Sequence, residues 1–80
     1  MASKEEIYGW VADVLKQEFQ FRDEDLFVEA HLMDDLELDS IDAIDLAVRL
    51  EERTGLSFKE EDLKSIQTIQ DVVHFIDERI

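Results

Sequence analysis

The 80-residue sequence has no cysteine, no proline, only two glycines, and 8 lysines and arginines against 22 aspartates and glutamates. Without cysteine there is no disulfide to staple the fold, no thiolate nucleophile and no zinc-thiolate site. Without proline, and with glycine confined to Gly9 and Gly55, little interrupts a helix. The shortage of basic side chains leaves a formal net charge of -14. Affinity for phosphate backbones comes from lysine and arginine displacing counterions, so nucleic acid is disfavoured as a direct partner. An anionic membrane surface is disfavoured on the same ground. No run of apolar residues exceeds three, so no segment is suited to insertion in a bilayer. The N-terminal Ser3-Lys4-Glu5-Glu6 turns acidic where a signal peptide turns apolar, and a cytoplasmic protein is expected.

What is present is a core-forming composition. At 45% hydrophobic, the chain is too apolar for a solvated acidic tail. Its length is that of one small domain, residues 1–80. Such a domain buries only about 60% of its unfolded surface, and repulsion among its acids lowers stability further. Partners with basic patches are favoured, because complementary fields speed encounter.

The spacing predicts helices. Ser3 and Glu6 form a capping-box pattern, and Ile7, Trp10, Val11, Val14 and Leu15 follow on one helical face of residues 3–18. Near the other end Thr68 can cap a helix with the stripe Ile69, Val72, Val73, Ile76 and finally Ile80. Between Phe19 and Asp39 the period is lost. A loop so long is unusual unless ordered or functional, and Leu32 and Leu36 are the expected anchors, with a short turn of helix within Asp23–Val28. Helix resumes at Ser40 and runs to about Arg53, where Gly55 suits a left-handed terminus. Phe58 is expected to plug the core, and a short helix spans Glu60–Ser65. The sum is an all-α domain, a small four-helix bundle of three longer helices and one short helix, with a long loop between the first and second.

The helix after Ser40 has two apolar sides. Ala43, Leu46, Ala47 and Leu50 cluster within roughly 100° and form the core face. Ile41 and Val48 lie roughly opposite, in line with Asp45 and Glu52. Two surface aliphatics often mean nothing, but apolar contacts flanked by acids also describe a docking strip for a basic partner. Local charge favours the second account. Ten acids and no lysine or arginine occur between Arg22 and Arg49. Helix-dipole stabilisation covers Asp39 and Asp42, but not six acids within residues 34–45. Ser40 is either the N-cap itself or, if Asp39 caps, a first-turn residue with its hydroxyl directed outward.

The string Asp35-Leu36-Glu37-Leu38-Asp39-Ser40-Ile41-Asp42 resembles the modification motif of acyl carrier proteins, whose core is Asp-Ser-Leu or a close variant opening the second helix. The resemblance extends along the chain: Leu46 and Leu50-Glu51-Glu52 match the family's second helix, and Thr68-Ile69-Gln70-Asp71-Val72-Val73 the start of its last. It implies that Ser40 carries 4'-phosphopantetheine through a phosphodiester, installed from coenzyme A by a phosphopantetheinyl transferase. Acyl groups ride as thioesters on the terminal thiol of that arm. Such a carrier is not an enzyme, and delivers tethered intermediates at high effective concentration. By position, Ile41, Asp42, Asp45, Val48 and Glu52 would form the recognition surface, with Asp39 and Asp42 flanking the modified serine. The implied partners are a ketosynthase, an acyltransferase or ligase, a reductase and a dehydratase with basic docking patches, meeting a carrier that is monomeric when free. The family often has glycine where this chain has Glu37, and leucine or methionine where it has Ile41. Glu37 is expected to tighten or recharge the loop and to alter partner choice. Residues Leu38 to Leu46 look more like stand-alone carriers of specialised fatty-acid or polyketide-like pathways, aryl polyene assembly among them.

Three rival readings are weaker. An enzyme would need a base for Ser40, and His31 and His74 are expected at surface positions; no Gly-x-Ser-x-Gly elbow surrounds the serine. A calcium loop beginning at Asp35 fails at Ser40 in place of glycine and at Leu46 in place of a bidentate acid, so no metal site is expected. An unmodified acidic helical interaction module accounts for the charge and the strip without needing Ser40.

Overall fold

The hydroxyl of Ser3 accepts the amide of Glu6 at 3.2 Å and starts α1, Lys4–Phe19, in the computed structural model, which describes residues 2–80. The cap forms as expected, but only half of the box: Glu6 returns to the Ser3 hydroxyl at 3.5 Å. Ile7, Val11, Val14 and Leu15 are buried, as their spacing predicts, and Ala12 joins them while Trp10 is half-buried. α1 ends at Gln20, which takes the left-handed conformation.

The remaining helices are α2 (Ser40–Thr54), α3 (Glu60–Ser65) and α4 (Ile69–Arg79), and no strand forms among the described residues. Gly55 closes α2 with φ 77°, a conformation glycine adopts without steric cost. α1 packs against both α4 and α2, while α3 leans on α2. Ile7 and Leu15 of α1, Leu50 of α2, and Ile69 and Ile76 of α4 meet with almost no exposed surface. Each such side chain contributes about 1.5–3 kcal/mol by leaving water, so this cluster is the main source of stability.

The long loop is ordered by two devices. A 3₁₀ turn at Asp23–Asp25 falls inside the stretch where a helical turn is expected. Lys16 reaches Asp23 at 2.8 Å and ties that turn to α1; the hydrogen bond with this carboxylate holds the lysine amine above its ordinary pKa. Leu32 and Leu36 are buried as expected, and so are Leu26, Ala30 and Leu38. The second device is backbone pairing. His31 and Thr68 form an isolated antiparallel bridge, and the amides of Leu32, Ile69 and Gln70 donate to the carbonyls of Gln67, Ala30 and Val28 at 2.8, 3.1 and 2.8 Å.

The end of α4 departs from expectation. The helix stops at Arg79, and Ile80 is exposed rather than continuing the core stripe. Phe75 is the residue that packs instead: it is buried, stacks on Phe58 at 4.6 Å between ring centroids, and carries the Arg79 guanidinium 3.6 Å above its ring. A large ring one position from the aliphatic stripe reaches the core where a terminal residue past the last turn does not. Phe58 is half-buried, so it lines the core's edge.

Candidate functional site

Asp39 and Ser40 compete for one cap position, and Asp39 holds it. Its carboxylate accepts the Asp42 amide at 2.8 Å, and the Asp42 carboxylate accepts the Asp39 amide at 3.3 Å. Both acids are thus turned back on the backbone, which satisfies donors that a helix start otherwise leaves unpaired. Ser40 is the first helical residue; it is exposed, and its hydroxyl forms no hydrogen bond among the described residues. The serine therefore stands free at the positive end of the α2 dipole.

The approach to Ser40 is set by Glu37, whose φ of 57° lies in the left-handed region. The reversal lets Leu36 and Leu38, on either side of an exposed Glu37, both enter the core, and Leu38 donates to the Leu32 carbonyl at 3.0 Å. An ordinary residue in this conformation costs roughly 1–2 kcal/mol relative to a right-handed one.

The strip along α2 is exposed as expected for its apolar members: Ile41 is 74% and Val48 43% accessible. Its acids are not equivalent. Glu52 is exposed, whereas Asp45 is half-buried and faces Arg49 at 3.6 Å, an arginine that also reaches Glu18 on α1 at 3.5 Å. Asp42 is half-buried and engaged in the cap. Two further apolar residues that the sequence reading missed, Ile44 and Met33, are both about half exposed and border the groove beside Ser40. Ile44 lies roughly 60° from Ile41 around the helix, a signal the spacing carried. Met33 sits in the loop, where no periodicity exists to place it.

Beside Ser40, an open groove of about 390 Å³ runs between α2 and α3, with Met33, Ala43, Ile44, Leu63 and Ile66 supplying its apolar lining. His31 also borders it, but its ring Nδ1 accepts the amides of Met33 and Asp34 at 3.2 and 3.1 Å, so it is not poised as a base for the serine. His74 is exposed on α4 and paired with Glu78.

The segment that holds the loop is itself held by Asp71. Burial alone would raise this carboxyl, but the amides of Gln67 and Thr68, the Thr68 hydroxyl and nearby His74 together keep it below the ordinary carboxylate value.

A family model described as a phosphopantetheine attachment site matches residues 9–76. The chain is 41% identical over 68 residues to acyl carrier protein 2 of Ralstonia nicotianae, covering 85% of this chain and 84% of that one. It is 35% identical to the acyl carrier protein of Coprothermobacter proteolyticus, over 96% of this chain and 94% of the relative. Against the acyl carrier protein of Thermotoga maritima it is 34% identical, with 100% and 99% covered.

Proposed function

The chain belongs to the acyl carrier protein family, and from that premise we propose that Ser40 is the residue to which its prosthetic group is attached. The protein is a non-catalytic carrier, and its group is a covalently bound 4'-phosphopantetheine. That group supplies a terminal thiol for thioester chemistry that a chain without cysteine lacks. The observation that carries the assignment is the division of labour at the head of α2: Asp39 caps, so the exposed Ser40 hydroxyl is left without a partner among the described residues.

The residues present fit such a group. A helix N-terminus favours the negative charge of a phosphodiester, and the two flanking carboxylates are drawn back onto the amides of the cap. Met33, Ala43, Ile44, Leu63 and Ile66 offer an apolar surface beside the serine.

A carrier of this family interacts with a phosphopantetheinyl transferase and with biosynthetic enzymes. Ile41 and Val48 are the contact residues of our reading, and Asp45 and Glu52 steer basic faces toward them. Asp39 and Asp42 set the angle at which the serine is offered. No helix among the described residues is long and apolar enough to cross a membrane. For the pathway, we assign the chain to specialised fatty-acid or polyketide-type synthesis, aryl polyene assembly included. Support comes from the string Leu38 to Leu46 and from a charged Glu37 before the serine.

Incubation of the purified chain with coenzyme A and a promiscuous phosphopantetheinyl transferase, followed by intact mass measurement, tests the site. A phosphopantetheinyl increment that disappears in Ser40→Ala is the expected result. An increment that survives the substitution moves the site elsewhere, and none with any competent transferase leaves an unmodified interaction module.

A further inference from the structure

The turn that leads to Ser40 is stapled by an imidazole. His31 and Asp35 cap it reciprocally: the Asp35 carboxylate accepts the His31 amide at 2.7 Å, while the His31 ring Nδ1 accepts the amides of Met33 and Asp34. The same residue's carbonyl accepts the amides of Asp35 and Leu36 at 2.9 and 3.1 Å. His31 also makes the bridge to Thr68 that fastens the loop to the segment before α4. The His31 ring thus shares, with the Asp35 carboxylate and the His31 carbonyl, in closing the turn whose far end, through Leu36, Glu37 and Leu38, delivers Asp39 and Ser40.

A ring nitrogen accepts hydrogen bonds only while it is unprotonated; in the imidazolium both nitrogens donate. Protonation therefore does more than weaken the staple. It converts the acceptor for two amides into a donor. A substitute partner is in place, since an Asp34 carboxylate oxygen lies 3.8 Å from the same Nδ1. The charged ring is attracted to Asp34 and releases the amides of Met33 and Asp34. Asp35 is the other acid on this turn, Glu60 and Lys64 of α3 border the same groove, and Asp71 stands behind the pairing segment at Gln67 and Thr68. α2 faces the groove with Ser40, Ala43 and Ile44 and brings no charge to it.

We propose that neutral His31 is a positioning residue for the carrier serine, and that its protonation releases the Met33 and Asp34 amides and slows loading of Ser40. The proposal rests on Ser40 being the modified residue, and its test reads the turn separately from the serine.

Asparagine places its carbonyl oxygen at the same distance along the side chain as Nδ1 and does not titrate; glutamine places its oxygen one atom too far. The full chain and its His31→Asn and His31→Gln variants are compared between about pH 7.5 and about pH 5.5. The first readout is the hydrogen-exchange protection of the Met33 and Asp34 amides by NMR. The wild-type chain is expected to lose roughly threefold to tenfold of that protection as pH falls, the range that modest hydrogen bonds supply. His31→Asn stays protected throughout, and His31→Gln is unprotected at both ends. The second readout is the initial rate of Ser40 labelling, divided at each pH by the rate for His31→Asn so that titration of the transferase cancels. That ratio falls with pH in step with the amides. Parallel behaviour of wild type and His31→Asn overturns the proposal, as does equal protection in His31→Gln and His31→Asn. Absence of labelling in every chain at neutral pH would count against Ser40 as the site, while the amides alone would still judge the staple.

Discussion

The heads of α2 and α4 are built from the same local chemistry and put to opposite use. At α4, Thr68 accepts the Asp71 amide at 3.1 Å, and the Asp71 carboxylate returns to the amides of Thr68 and Gln67 at 3.1 and 3.0 Å. At α2, Asp39 and Asp42 exchange the equivalent pair of bonds. In both, an acid three residues after the cap completes the box. The residue after the cap differs: Ile69 is fully buried, whereas Ser40 is exposed and followed by the largely exposed Ile41. Capping starts a helix without deciding which face the core takes. Where the next residue is aliphatic, the start becomes a foundation. Where it is serine, the start becomes a platform.

Ile69→Ala and Ser40→Ala give the widest contrast. Truncation of Ile69 is expected to cost about 2–5 kcal/mol in denaturant unfolding, from lost burial and the cavity left. Ser40→Ala is expected to stay within about 0.5 kcal/mol of wild type. Similar losses at both positions would erase the distinction between foundation and platform.

Asp71→Asn is expected to cost about 0.5–2 kcal/mol at neutral pH, the range for a lost cap. Because the folded protein holds this carboxyl below its ordinary value of 3.8, its contribution is present above that value and is lost as pH falls through the lower folded-state value. The variant should therefore lie closest to wild type at low pH in paired unfolding curves. A gap that widens toward acid would reverse the sign.

Glu37→Gly sharpens the contrast from the other side, because the approach to α2 contains a residue at positive φ and the approach to α4 does not. Removing the left-handed penalty is expected to raise stability by up to about 1 kcal/mol, read as a higher midpoint in denaturant. A lower midpoint would mean that the Glu37 side chain contributes contacts outweighing its backbone strain.

Ile41→Ala is expected to change stability by no more than about 0.5 kcal/mol while weakening partner binding. Reversing Asp45 and Glu52 to lysine should slow modification and transfer, more at low salt than at high. Unchanged rates at low ionic strength would remove the steering role from these acids.

Much of this protein was legible because its signals are local. The stripe of α1, the caps at Ser3 and Thr68, and the stop at Gly55 each depend on residues within one or two turns of each other. The candidate serine was legible too, by resemblance and by the base-free run of acids around it. The recognition strip was legible only in outline: Ile41 and Val48 are exposed as expected, but the Asp45–Arg49–Glu18 arrangement joins helices that spacing cannot relate. The packing of Phe75 in place of Ile80 was hidden for the same reason, since Phe58 comes from another part of the chain.

Helix starts and stops, and the places where negative charge accumulates, follow from the order of residues alone, because capping, glycine conformation and side-chain charge act over a few residues. What those starts are for came from packing in three dimensions. That packing paired the loop with residues Gln67 to Gln70 and buried Leu36 and Leu38 around an exposed Glu37. Those outcomes depend on segments far apart in the chain coming together around one core, and each contact is favourable only once the others exist.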